Sequence, residues 1–233
     1  MQRPTTVAIS GFTSEVGKTT VMCDLLSALP GWEAIKTTRG HYRSCGKDPQ
    51  TCCVSHLLTD EPVIRSGREE TYSMGKDTGR YWDAGAANVH WLIVTEEQVE
   101  DGIKRAMERV TAQGVFIEGN SFTEFVPVDF MLMVARADSE KIKASARRAL
   151  RRASGLYLSE PNDSSSRATP VVADANARAA TTQDGPGSAR ERFATWRKRN
   201  RLDELRSDLA IYTQGDFPQL VSELRRIHQA LTA

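Results

Sequence analysis

The sequence predicts an α/β fold, a mostly parallel sheet with helices on both faces. Two observations carry that prediction. Short apolar runs alternate with longer stretches whose apolar residues recur at helical spacing, the rhythm of buried strands with helices laid across them. A glycine-rich turn, residues 11–20 (GFTSEVGKTT), also joins the first apolar run to the first helix, where backbone N–H groups and a helix N-terminus converge on an anion.

Residues 7–9 form the first predicted strand, 21–29 the first helix and 32–37 the second strand. A long polar segment runs from 39 to about 74. Residues 88–95 (NVHWLIVT) are a near-continuous apolar run of the kind buried in a parallel sheet. Residues 96–113 then carry Val99, Ile103, Ala106, Met107 and Val110 at helical spacing. A strand at 114–119 ends in the acid Glu118; another covers 129–135, a basic amphipathic helix 139–153, and one more strand 155–159. The rhythm breaks at Glu160. From 161 to about 189 the chain is rich in Ser, Ala, Thr, Asp, Gly and Pro and reads as an insertion. A charged helix over 190–205, a short strand at 209–213 and a closing helix at 217–231 follow, the last with Leu220, Val221, Leu224, Ile227 and Leu231 on one face. Because the last strand and helix resume the earlier pattern, the prediction is one domain over 1–233, with a Cys/His loop at about 39–74 and a low-complexity insertion at about 161–189.

Thirty-one Lys and Arg against thirty Asp and Glu leave a net charge of +1, so the balance gives no reason to expect nucleic acid or an anionic membrane as partner. No run approaches the ~18 apolar residues of a membrane span, and the N-terminus lacks the cationic and apolar regions of a signal peptide. A cytoplasmic location is expected.

The glycine-rich turn prescribes chemistry. Gly11 and Gly17 would let the backbone wrap closely, Lys18 would place an ammonium on the β and γ oxygens of a triphosphate, and the Thr19 hydroxyl would be a ligand to Mg²⁺. Thr13, Ser14, Glu15, Val16 and Thr20 complete the cradle. Five residues, not four, separate Gly11 from Gly17, so the strict pattern is met only if Phe12 stands where its first glycine should be. Glu118, at the carboxyl end of a strand, is the second acid needed to help hold Mg²⁺. These features together predict a P-loop NTPase fold that binds ATP or GTP with Mg²⁺. The Asn/Thr-Lys-x-Asp sequence that reads guanine does not occur, so the base stays open.

Two families share these motifs. Residues 13–19 (TSEVGKT) resemble the loop of dethiobiotin synthetase, with the same five-residue gap, and residues 115–119 are similar to its Glu-Gly strand end. Ile35-Lys36, the segment Gly75-Lys76-Asp77 followed by Ala84-Gly85-Ala86, and Ile117-Glu118-Gly119 resemble in order the molybdopterin-guanine dinucleotide biosynthesis protein MobB. The resemblance implies a dimeric, Mg²⁺-dependent nucleotide binder with a parallel sheet. It implies Lys18, Glu118 and Asp77 as catalytic residues, Thr19, Glu118 and Asp77 around Mg²⁺, and Arg80 with Asp77 lining the nucleotide or substrate site. The leading expectation is a MobB-like NTPase in cofactor biosynthesis or delivery, working as a homodimer with a cofactor-biosynthesis partner. The alternatives are an ATP-dependent small-molecule kinase or ligase like dethiobiotin synthetase, and a metallochaperone switch.

The last alternative rests on His41, Cys45, Cys52, Cys53 and His56, whose thiolates and imidazoles are ligands that Zn²⁺, Ni²⁺ or an iron–sulfur centre would take, although their spacing matches no standard zinc pattern. Cys23, in the first helix, reads as a small core residue. Trp82 and Trp91 read as core or interface fillers, His90 as a satisfied core histidine and His228 as a surface residue. Arg147, Arg148, Arg151 and Arg152 read as a solvated or phosphate-near helix face rather than a nucleic-acid site.

Overall fold

The computed structural model describes residues 3–40, 54–136, 141–159, 189–199 and 209–233. The elements run β1 (Thr5–Gly11), α1 (Lys18–Ala28), β2 (Glu33–Arg39), β3 (Val63–Ser66), α2 (Arg68–Thr71), α3 (Asp77–Asp83), β4 (Val89–Val94) and α4 (Val99–Met107). They continue with β5 (Gly114–Glu118), β6 (Phe130–Arg136), α5 (Ala144–Leu150), β7 (Gly155–Ser159), α6 (Ala189–Arg199), β8 (Ala210–Tyr212) and α7 (Phe217–Thr232). The eight strands form one sheet in the order β3-β4-β2-β5-β1-β6-β7-β8. Seven strands run parallel, and β3 alone pairs antiparallel, on β4 at the edge. This is the predicted α/β fold of P-loop NTPase type.

β1 lies near the centre and is buried along all its length. Its alternate side chains enter two cores, as the two-residue period of a strand requires. Ala8, with Ile35, Val115, Ile117 and Met133, packs under α4, α5 and Phe193 of α6. Val7 and Ile9, with Phe116, Leu132 and Val134, pack under α1, Tyr81 of α3 and Leu220, Val221 and Leu224 of α7. Both faces are covered by helices, which is why these strands read as unbroken apolar runs.

Several predicted bounds shift, each for a tertiary reason. The segment at 39–74 is not loop throughout: it contains β3 and α2, whose four-residue lengths fall below what periodicity can register. The helix predicted to 113 stops at Met107, because the chain beyond it turns to give the Thr111 and Ala112 N–H groups to Glu33 Oε1 at 3.0 and 2.9 Å. α5 starts at Ala144, after Lys143 has donated its backbone N–H to the Phe12 carbonyl at 2.9 Å. The insertion at 161–189 lies, but for its last residue, outside the described residues, as do parts of the helices predicted at 139–153 and 190–205.

Among the side chains read as structural, His90 is buried between Glu33, at 2.8 Å from Nε2, and Ser66, at 2.9 Å from Nδ1. Cys23 is half-buried with its thiol on the Arg80 carbonyl, and burial pushes the thiol up to about 11. Trp82 and Trp91 are half-buried and donate to the Thr71 and Thr38 hydroxyls, each at 2.8 Å. His228 is not a plain surface residue: its ring lies 5.3 Å from that of Trp32, and its Nδ1 is 2.9 Å from the Thr5 hydroxyl. Among the described residues no helix is long and apolar enough to cross a membrane.

Candidate functional site

The glycine-rich turn lies at the carboxyl edge of the sheet, between the end of β1 and the start of α1. Gly17, the residue before α1, has φ 89°, the left-handed region that a side chain disfavours. Glu15 also has positive φ, 63°, and is the only described non-glycine residue that does. The position in question in the motif, Phe12, therefore needs no glycine. Its side chain is fully buried and stacks near Phe193, with ring centroids 6.4 Å apart. Val16 also faces the core, at 1 % exposure, so it can offer a ligand only its backbone.

Two side chains, one just beyond β5 and one at the end of β7, hold the turn in shape. The Asn120 amide clasps Gly11, accepting from the Gly11 N–H and donating to the Gly11 carbonyl, both at 2.9 Å. The Ser159 hydroxyl, at the end of β7, donates to the Val16 carbonyl at 2.7 Å. Lys18 lies back across the turn, with Nζ 3.0 Å from the Thr13 carbonyl. Burial lowers its pKa, Glu118 opposes that shift, and Lys36 and Lys143 add to it. An anion in the turn would relieve this penalty.

Lys36 Nζ sits between two carboxylates, 2.6 Å from Asp77 Oδ2 and 2.6 Å from Glu118 Oε1. β2 and β5 are paired in parallel with Lys36 opposite Glu118, which fixes that neighbour by register. Burial alone would lower the Lys36 pKa, but Glu118 and Asp77 outweigh it and the value ends above that of ordinary lysine. For Asp77, burial pushes upward, and Lys36, Thr19 and Arg80 together bring it below the usual aspartate value. The Thr19 hydroxyl donates to Glu118 Oε2 at 3.1 Å, and the Tyr81 hydroxyl donates to the same oxygen. Burial, then Glu118, drives the Tyr81 pKa well up, so the phenol stays a donor.

α3 brings Asp77, Arg80 and Tyr81 to this point. They stand at i, i+3 and i+4, one face of a single helical turn, with Arg80 3.3 Å from the Thr20 hydroxyl. A cavity of about 670 Å³ opens over the turn, with Lys36, Thr37, Arg39 and Lys143 on its walls. Arg39 pairs with Glu96 at 2.8 Å, and Lys143 reaches the Ser14 hydroxyl at 2.8 Å. Among the described residues Thr37 Oγ1 is a buried hydroxyl without a hydrogen-bond partner, an unusual state that a ligand would end.

The structure thus gathers Lys18, Thr19, Asp77 and Glu118 within one site, with Arg80, Thr20, Ser14 and Glu15 on its cavity. The oxygen donors of Thr19, Glu118 and Asp77 fit Mg²⁺, which takes hard oxygen ligands, keeps waters and completes its shell with phosphate. His41, Cys45, Cys52 and Cys53 lie outside the described residues. His56 is exposed, and among the described residues no group of three His, Cys, Asp or Glu could hold a metal ion. Three residues of the site carry no local sequence signal, Tyr81, Asn120 and Ser159; Lys36 entered only as part of the Ile-Lys motif of the resemblance, with no role attached.

Sheet order and loop geometry define an α/β protein of the P-loop NTPase fold class. No protein-family model matches the chain, and no curated protein does. Among solved structures it is similar to LpxK from Aquifex aeolicus in complex with ATP, at 18% identity and TM-score 0.42 over 68% of this chain and 48% of that one. The chain therefore spans about half the length of LpxK. It is also similar to a plasmid partition protein from Borrelia burgdorferi, at 8% identity and TM-score 0.38 over 99% of both chains.

Proposed function

We propose that this chain is a Mg²⁺-dependent nucleotide-binding protein that holds a nucleoside triphosphate on residues 11–20 and hydrolyses or transfers its terminal phosphoryl group. The supporting observation is the meeting of Lys18, Thr19 and Glu118 at the first turn of α1, beneath an open cavity. Lys18 would lift from the Thr13 carbonyl onto the β and γ oxygens. Thr19, Glu118 and Asp77 would hold Mg²⁺, which when bound neutralises charge developing on the phosphates. The protein's part is positioning and charge stabilisation.

Within that reading the finer assignment is MobB-like: an NTPase in cofactor biosynthesis or delivery, cytoplasmic, homodimeric and one domain over 1–233. A second reading, a kinase or ligase acting on a small acid, is favoured by one observation. Lys36, Arg39 and the orphan Thr37 hydroxyl line the cavity on the β2 side, beyond the phosphate turn, where a second anionic group would find donors. A metal-loading switch draws no support from His56 alone.

Calorimetry with ATP and GTP in the presence of Mg²⁺ tests the central claim. The wild type is expected to bind one of them, and Lys18→Ala to weaken that binding at least about tenfold through loss of a charge-assisted contact. Unchanged affinity in the variant would overturn it. Phosphate release without an acceptor favours the NTPase, and ADP release only with an added acid favours the kinase.

A further inference from the structure

The position of Lys36 carries an inference of its own, which rests on the reading just given. Its ammonium lies 2.6 Å from both Asp77 and Glu118, the two carboxylates that would share Mg²⁺. Glu118 cannot yield: it is buried, and its other oxygen takes hydrogen bonds from Thr19 and Tyr81. Asp77 is the first residue of α3 and carries its carboxylate on a short side chain. The mobile partner is the lysine, whose charge rides on four methylenes.

We propose that Lys36 is a built-in counter-ion that occupies the divalent-cation position and makes metal entry conditional on phosphate. A divalent ion can settle between Asp77 and Glu118 only by displacing the ammonium. Displaced without a nucleotide, Lys36 would stand in a half-buried site beside Lys18 with no anion to pair with, a costly state for a charge. Displaced with a nucleotide in the turn, it gains phosphate oxygens as partners. The charges agree: Lys18, Lys36, Arg39, Arg80 and Lys143 face Glu15, Asp77 and Glu118 on the cavity, so a divalent ion alone leaves the site strongly positive, and a triphosphate offsets that. Metal and nucleotide binding are then coupled through one side chain, and by linkage each strengthens the other.

The test is Mn²⁺ binding to the full chain, followed by electron paramagnetic resonance without nucleotide. Lys36→Met is expected to bind Mn²⁺ alone about tenfold more tightly than the wild type, of the order of ordinary site-to-site coupling. Lys143→Met removes an ammonium from the same cavity without touching either carboxylate, and should change Mn²⁺ affinity less than about threefold, as screened charges do. Equal affinity in Lys36→Met and the wild type, or equal gains in both variants, would overturn the proposal. If Lys36→Met does not fold, Lys36→Arg carries the test. Its fork spans both carboxylates while keeping the charge, so Mn²⁺ alone should bind no more tightly than to the wild type, and tighter binding overturns the idea. A wild type that binds neither ATP nor GTP with Mg²⁺ would sink the proposed function, while the Mn²⁺ comparison still decides the role of Lys36.

Discussion

Tyr81, fully buried on α3, donates its hydroxyl to Glu118 Oε2 at the end of β5. One hydrogen bond therefore ties the helix carrying Asp77 to the strand carrying the second acid, beside the Lys36 bridge between the two carboxylates. Tyr81→Phe keeps the ring and removes the donor, leaving Glu118 short of a partner. The expected loss is about 1–3 kcal/mol of stability, read by urea denaturation, together with weaker Mg²⁺–nucleotide binding. A variant with unchanged stability would mean that Thr19 and Lys36 satisfy Glu118 without it.

Asn120 does for the turn what Tyr81 does for the acid. Asn120→Ala removes both hydrogen bonds to the Gly11 backbone and orphans an N–H and a carbonyl of a buried residue. A loss of about 2–4 kcal/mol is expected. Nucleotide affinity should fall with it, since the turn loses its fixed shape. Calorimetry showing full affinity would make the clasp dispensable for binding.

The Glu33–His90 pair sets a pH dependence. Glu33 Oε1 accepts from the Thr111 N–H, the Thr111 hydroxyl and the Ala112 N–H, and as a carboxylate Glu33 can only accept, so His90 Nε2 carries the proton toward Oε2. Burial pushes the Glu33 pKa up, but His90, Thr111 and Ala112 bring it below the usual glutamate value. A depressed carboxylate contributes stability in full above its unfolded value, about 4.3, and loses it as pH falls through the folded value. Glu33→Gln should therefore be less stable than the wild type by about 3 kcal/mol at neutral pH, and the gap should narrow below about pH 4. A gap that stays constant into acid would refute the charge-based account.

α3 can pack against the loop that precedes it only because position 79 is glycine. A Cβ there would lie 2.0 Å from the Ser73 carbonyl oxygen, a backbone atom that cannot swing aside. Gly79→Ala is expected to cost about 3 kcal/mol, at the upper end for overpacking, and to displace Asp77, Arg80 and Tyr81 together. The check is a thermal melt beside a nucleotide titration. Retention of both stability and affinity would show that α3 tolerates the shift.

Legibility followed burial and sequence separation. The β1–turn–α1 unit was readable because its parts are contiguous and each has its own chemistry: a buried strand, glycines, then Lys18 and Thr19. Glu118 was readable because an acid ending an apolar run stands out. Asp77 and Arg80 came only through resemblance, because nothing local in Gly75-Lys76-Asp77 says that it faces residues some forty positions further on. β3 was missed because four residues of mixed polarity have no period, and their pairing with β4 is a property of the edge.

By itself, the sequence determined the alternation of strand and helix, the phosphate-type turn and the acid at the end of β5, since periodicity and backbone chemistry act over a few residues. Only the tertiary structure decided that Phe12 belongs to the core, that Lys36 stands between Asp77 and Glu118, and that Tyr81 and Asn120 hold the site's shape. The last three rest on contacts between groups 37 to 109 residues apart in the chain. They arise where the carboxyl ends of parallel strands meet, and which ends meet depends on the strand order, which no local pattern encodes.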